Sequence, residues 1–233
     1  QLSDDWHADY EDSMKADGLI LLGYGDYLAY QAKLERLVEQ GTHFVRWGQV
    51  EQGQPGISIG CDNHAGGLLA GRHLLAQGRR RIAFLGDASN RFPEFFARYQ
   101  GCDAALREAG AAMLPELQVD ADSTEQAGAD AANALLARAL PFDAVFAASD
   151  LIAIGAMHAL KQAGLRIPED VAVVGFDGTS MALYANPPLT TVVQDTSRAG
   201  ELLVQALLQQ VREQPAQSAM LQPALVVRAS SGG

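Results

Sequence analysis

The chain has 233 residues, is 48% hydrophobic, and carries 17 basic against 28 acidic side chains, a formal charge of −11. This length and apolar content suit one large domain or two modest lobes and argue against a disordered chain. The charge repels a phosphate backbone, so DNA binding by this chain alone is not expected.

The one dense basic run, Arg79-Arg80-Arg81, reads as a solvated loop before a strand, and no homeodomain, zinc-finger or helix-turn-helix pattern is present. Cys61 and Cys102 form no CxxC or Cys/His cluster and read as small core residues. No apolar run reaches the ~18 residues of a membrane span. Residues 1–15 are acidic and lack the apolar stretch of a signal peptide, which fits a cytoplasmic location.

Short apolar strands alternate with amphipathic helices along the chain, an α/β pattern. Gly18–Gly23 is a strand, the helical periodicity of Tyr30, Leu34, Leu37 and Val38 follows, and His43–Trp47 is the next strand. Ile57–Ile59 reads as a short edge strand. Asp62 or Asn63 caps a helix whose buried face is expected to be Ala65, Leu68, Leu69, Arg72, Leu75 and Ala76, closed by Gly78. Arg81–Leu85 is a strand, residues 94–109 a helix, and the region near Val119 a weak strand. Ser123-Thr-Glu-Gln126 matches a capping box opening a helix to about Ala139. Asp143–Ala147 and Val171–Phe176 are strands on either side of a helix from Ile152 to Ala163. Asn186-Pro-Pro-Leu189 is a connector, because two prolines remove two donors and fix φ. Thr190–Val193 is a strand, Asp195 or Thr196 caps a long helix to Val211, and Leu225–Val227 is the last strand. The tail Ser230–Gly233 is expected to fray.

Repeated strand–helix–strand units imply parallel sheets with right-handed crossovers, and such sheets bind ligands beyond the carboxyl ends of their strands. The residues directly after strands are Asp62, Asp87, Ser149, Asp150, Asp177 and Gln194. Each alone could be a turn or cap; together they resemble the rim of acceptors and donors that a polyhydroxylated ligand requires. Arg98, near Phe92, Phe95, Phe96 and Tyr99, is either a surface arginine or a fork donor to a ligand oxygen beside an aromatic wall. No GxSxG elbow, phosphate-binding GxxxxGK[ST] loop or HExxH occurs, so neither catalysis, a cofactor nor a metal is expected.

Three stretches are similar to the core domain of the lactose repressor (LacI/GalR) family. They are Cys61–Gly78 with the following Arg-Arg-Arg-Ile-Ala-Phe-Leu-Gly86; Ala148-Ser-Asp-Leu-Ile-Ala-Ile-Gly155; and Ile167–Asp177 continued by Pro187-Pro-Leu-Thr-Thr-Val-Val-Gln-Asp195. The similarity spans roughly residues 15–228, and the order and spacing of the motifs are specific to that family. The resemblance implies a type I periplasmic-binding-protein fold: two Rossmann-like lobes with parallel sheets and an effector cleft between them. Residues 1–89 with 195–220 would form the N-terminal lobe and 90–190 with 221–228 the C-terminal lobe. It also implies a homodimer or tetramer, and operator binding through an N-terminal helix-turn-helix domain that this chain does not contain. Carried over by motif, the effector contacts fall on Asp62, Arg98, Ser149, Asp177 and Gln194, with Asp62 and Gln194 in the first lobe. Ser123 stands where the family often has a sugar-stacking aromatic residue, which leaves Trp47, Phe92 or Phe95 for that role. Gly78-Arg79 replaces the family's usual Gly-His. The family's core opens with a strand, helix and strand that do not precede residue 18 here, so an exposed sheet edge is expected. The effector would be a sugar or related metabolite. A periplasmic sugar-binding protein is the alternative, sharing the fold. On this reading, truncating Arg98 or Asp177 weakens effector binding by about 1–3 kcal/mol and leaves folding nearly unaffected.

Overall fold

The structure, a computed structural model, describes residues 16–23 and 26–232. Residues 1–15, read above as lacking a signal peptide, lie outside the described residues. The chain divides into two compact units: residues up to Gly60 with Thr196–Met220, and Cys61–Asp195 with Leu221 onward. The expected boundary at residue 89 therefore moves to 60.

The first unit holds a sheet in the order β1-β2-β3-β9, with β1 Leu19–Leu22, β2 Phe44–Trp47, β3 Ile57–Cys61 and β9 Ala219–Leu221. Strand β3 lies between β2 and β9, so the edge position expected for it is wrong; β9 was not foreseen. Among the described strands β1 has one neighbour, and Leu22 on it is 71% exposed. Helix α1 (Tyr27–Glu39) starts a turn before Tyr30's region because Asp26 accepts from the amides of Leu28 and Ala29, at 3.0 and 3.4 Å. Its Leu34 and Leu37 pack with Leu21, Tyr27 and Phe44. The returning helix α7 (Thr196–Val211) buries Ala199, Leu203 and Ala206.

The second unit is built on a six-stranded sheet in the order β10-β8-β7-β6-β4-β5. Its strands are β4 Ile82–Leu85, β5 Gln118–Val119, β6 Ala144–Ala147, β7 Ala172–Asp177, β8 Thr190–Val193 and β10 Ala224–Val226. All pairs are parallel except β10 with β8. Every residue of β4 and β6 is buried, as is expected of parallel strands covered on both faces. Strand β4 pairs with β6 in this sheet, which carries it out of the first unit.

Helix α2 (Asn63–Ala76) belongs here too, because it packs against α3 (Pro93–Glu108). Its buried face is Asn63, Gly66, Gly67, Ala70, Gly71 and Leu74, not the leucine-rich face expected above. The reason is close helix contact: a Cβ at Gly67 would overlap the carbonyl of Arg98, and one at Gly101 the carbonyl of His64. A second glycine-mediated pair joins α4 (Glu125–Ala137) to α5 (Asp150–Gln162), through Gly128 and Gly155. Helix α4 is capped by Thr124, which accepts from Ala127 N–H at 3.1 Å, and not by Ser123. A short helix, α6 (Ser180–Tyr184), precedes the proline connector.

The tail does not fray as far as Gly232. Ser230 Oγ donates to the Val173 carbonyl at 2.6 Å and accepts from Thr190 N–H at 2.8 Å. Ser231 Oγ donates to Thr190 Oγ1 at 2.6 Å and lies 2.7 Å from His73 Nε2. Both serines are buried, since β-sheet polar groups supply the partners that an apolar count overlooks. Among the described residues no helix is long and apolar enough to cross a membrane.

Candidate functional site

The carboxyl ends of the second unit's strands deliver polar side chains in sheet order. Gln194 follows β8, Asp177 ends β7, Ser149 follows β6 and Asp87 follows β4. All five residues singled out as contacts belong to this unit, which corrects the first-lobe placement of Asp62 and Gln194.

Arg98, on α3, is the centre of the site and is only 5% exposed. Its guanidinium lies 3.7 Å from the centroid of Phe176 and 5.3 Å from that of Phe95. Nε donates to Asn63 Oδ1 at 2.9 Å, and Nη1 donates to the Ala148 carbonyl at 2.5 Å. Nη1 is also 3.6 Å from Asp177 Oδ1. Nη2 makes no hydrogen bond to the described residues. Burial pulls the guanidinium pKa down, and the Asp177 charge opposes this. Arg98 is thus woven into the fold, so the expectation that its truncation spares folding is withdrawn: it would leave Asn63 Oδ1 and the Ala148 carbonyl without their donor.

Asp177 holds a backbone φ of 117°, a positive value that residues other than glycine rarely adopt. Gly178 follows at φ 73° and donates its N–H to Thr191 Oγ1 at 3.2 Å, fixing the reversal. Gln194 Nε2 donates to Asp177 Oδ1 at 2.8 Å. Burial pushes the Asp177 carboxyl up to about 6, against the pull of Arg98 and the hydrogen bond from Gln194. Arg98, Asp177 and Gln194 therefore form one connected cluster.

Asp62 and Ser149 sit beside that cluster as helix caps. Asp62 Oδ1 accepts from Ala65 N–H at 2.9 Å. Its neighbour Asn63, one of the strand-end polar residues and the other candidate cap, is the residue that touches Arg98; its Nδ2 donates to the Cys61 carbonyl at 3.1 Å. Only one of two adjacent residues can cap a helix, and that rule could have freed Asn63 for this role. Ser149 accepts from Ile152 N–H at 3.3 Å and from Ser123 Oγ at 2.8 Å.

Asp150 is fully buried and braces the site from behind. Its Oδ1 accepts from Thr191 Oγ1 at 2.6 Å, and its Oδ2 from Thr179 N–H and Oγ1 at 2.7 and 2.9 Å. Burial raises its pKa, and these bonds resist the rise. Sequence patterns did not show this brace, because its partners lie 29 and 41 residues away.

Of the aromatic candidates, Phe92 and Phe95 stack at 5.9 Å and 22°, beside Arg98. Trp47 lies in the first unit, where it lines an apolar groove with Ile20, Leu22 and Leu203. Among the described residues no group of three or more His, Cys, Asp or Glu could hold a metal. The assembled chemistry is a rigid guanidinium, a carboxylate and an amide, facing aromatic rings: hydrogen-bonding groups with an apolar wall, suited to recognition of hydroxyls.

Comparison with known proteins places the chain in a family. Residues 72–231 match the model of the periplasmic binding protein-like domain. The ribose operon repressor of Haemophilus influenzae is 33% identical over 220 residues, which cover 93% of this chain and 64% of that protein. The chain thus spans a little under two thirds of that relative's length. Among solved structures, a complex of the transcriptional regulator CelR with cellobiose superposes with a TM-score of 0.87 at 33% identity, covering 98% of this chain and 71% of that one. A LacI family regulator from Enterococcus faecium with bound ribose gives 0.80 at 27% identity, covering 94% and 80%.

Proposed function

Because the chain belongs to the LacI/GalR family, as an effector-binding domain of the periplasmic-binding-protein-like class, we propose that it senses a sugar for a transcriptional repressor. In this reading the parent protein is cytoplasmic, contacts operator DNA through a separate helix-turn-helix segment, and works as a homodimer or tetramer. Effector occupancy is coupled to operator affinity, and no bond is made or broken. The regulators named above favour this over a periplasmic sugar carrier.

The observation that carries the reading is the Arg98–Asp177 pair, with Gln194 on the same carboxylate oxygen. A buried guanidinium held by Asn63 and Ala148 is preorganised, so a ligand need not pay to order it. Asp177 is kept in a costly backbone conformation at a strand end, where strain accompanies binding sites. Asp62, Asn63 and Ser149 complete the effector contacts, with Phe92 and Phe95 as the apolar wall.

Thermal melts and titration calorimetry test this with ribose, glucose, cellobiose, gluconate and hypoxanthine. A sugar at about 100 times its Kd should stabilise the chain by about 2.7 kcal/mol. Stabilisation by hypoxanthine alone, with every sugar inert, would overturn the sugar reading.

A further inference from the structure

Asp150 opens α5 directly after Ser149 and is fully buried. A buried carboxylate is costly unless it is bonded, and three donors meet this one: Thr191 Oγ1 at 2.6 Å, Thr179 N–H at 2.7 Å and Thr179 Oγ1 at 2.9 Å. Gly175 of β7 makes room for it, since a Cβ there would stand 2.5 Å from Asp150 Oδ1.

These partners surround one feature, the reversal after β7. Thr179 follows Gly178 directly, and Thr191 on β8 accepts from Gly178 N–H at 3.2 Å. Asp150 thus holds Thr179 directly and Gly178 through Thr191. The φ values of 117° at Asp177 and 73° at Gly178 belong to the segment so held. The backbone N–H of Asp150, among the first amides of α5 that lack a partner within the helix, donates to the Asp177 carboxylate. Released from this grip, Asp177 would relax towards the negative φ that side chains prefer, and its carboxylate would turn from Arg98 Nη1, now 3.6 Å away.

We propose that Asp150 is a positioning residue of the site: it touches no effector, and its clamp on Thr179 and Thr191 keeps Asp177 in the strained backbone conformation that presents the carboxylate to Arg98. The role of Asp177 towards a sugar rests on the reading above; the clamp does not.

Carboxyl titration by carbon-13 NMR of the whole 233-residue chain, with the Asp177 signal assigned through Asp177→Asn, tests the clamp without an effector. The groups facing Asp177 are Arg98 from α3, Asp150 from α5, Gln194 after β8 and Cys61 at the end of β3. Arg98 and Arg228 face Asp150. The wild-type Asp177 should titrate at about 6. Asp150→Asn keeps an acceptor for Thr179 and removes a like charge that opposes ionisation of Asp177, so the Asp177 midpoint should fall clearly below the wild type. A double-mutant cycle in urea reads the strain. The stability gain of Asp177→Gly over Asp177→Ala should shrink by at least about half when Thr191→Val cuts the clamp, and Thr191→Ser should restore it. Should Asp150→Asn fail to fold, the Thr191 pair carries the test alone. A wild-type Asp177 midpoint in Asp150→Asn, or an undiminished glycine gain in Thr191→Val, overturns the proposal, and Asp150 then only ties α5 to the sheet. Calorimetry with ribose, glucose and cellobiose is read separately. If one binds, Thr191→Val should weaken it at least about threefold and Thr191→Ser should restore it. If none binds, the sugar reading falls while the clamp on Asp177 stands.

Discussion

At the scale of single residues, one carboxylate combines backbone strain with two polar partners. Asp177 keeps a φ of 117° while accepting from Gln194 and facing Arg98. Replacing it by glycine removes the carboxylate and the strain together; replacing it by alanine removes only the carboxylate. Asp177→Gly should therefore be about 1 kcal/mol more stable than Asp177→Ala in urea melts, while both lose about 1–3 kcal/mol of effector affinity. Equal stability of the two variants would mean that the strain is not held in the folded chain. Arg98→Ala should lose stability as well as affinity, because two buried acceptors lose their donor. The pH dependence follows from the same residue. Burial raises the Asp177 carboxyl to about 6, so it is charged at pH 7.5 and protonated by pH 5. The neutral acid accepts hydroxyl hydrogen bonds more weakly than the carboxylate, so affinity for a neutral sugar should fall as pH drops through about 6. Asp177→Asn, with nothing to titrate there, should bind more weakly at pH 7.5 and show no such fall. An identical pH profile in the two proteins would exclude Asp177 as the titrating group.

At the scale of elements, sequence periodicity located most strands and helices, because fully apolar runs such as Ile82–Leu85 and Ala144–Ala147 leave little choice of role. It misread α2, because the face that meets α3 is made of glycines and alanine, which carry no hydrophobic signal of their own. It also placed β4 in the wrong unit, since a strand–helix–strand pattern does not reveal which sheet a strand enters. The strand-end rule picked out Asp177 and Gln194, which share a hydrogen bond, and Asp62 and Ser149, which cap helices. It could not find the partners of Arg98, because Asn63 and Ala148 are 35 and 50 residues away in sequence. The cap of α4 offers a direct check on local reading. Thr124, not Ser123, bonds the first turn, and Ser123 instead reaches Ser149. Thr124→Ala should cost about 0.5–2 kcal/mol in thermal or urea unfolding, the usual range for a lost cap. Ser123→Ala should leave the helix cap intact and alter effector affinity instead, through Ser149. A larger stability loss in Ser123→Ala than in Thr124→Ala would restore the capping box read from the sequence.

At the scale of the whole molecule, the chain carries 11 more acidic than basic side chains. A protein that reads DNA neutralises phosphates with lysine and arginine, and each neutralised phosphate steepens the salt dependence of binding. Only 17 lysines and arginines are present. Several are already committed: Arg98 to the site, Arg72 to Glu108 at 2.9 Å, and Arg166 to Asp170 at 2.7 Å. The 233-residue chain by itself should therefore give no sequence-specific gel shift with any member of a random operator library at ~150 mM salt, with or without a sugar. The same chain joined downstream of a helix-turn-helix segment should give a shift that the bound sugar weakens, since an effector that prefers one conformational state shifts affinity for DNA by its differential binding. A salt-resistant, specific shift by the chain alone would mean that it carries its own reading surface, and that sensing and DNA recognition are not divided between separate segments.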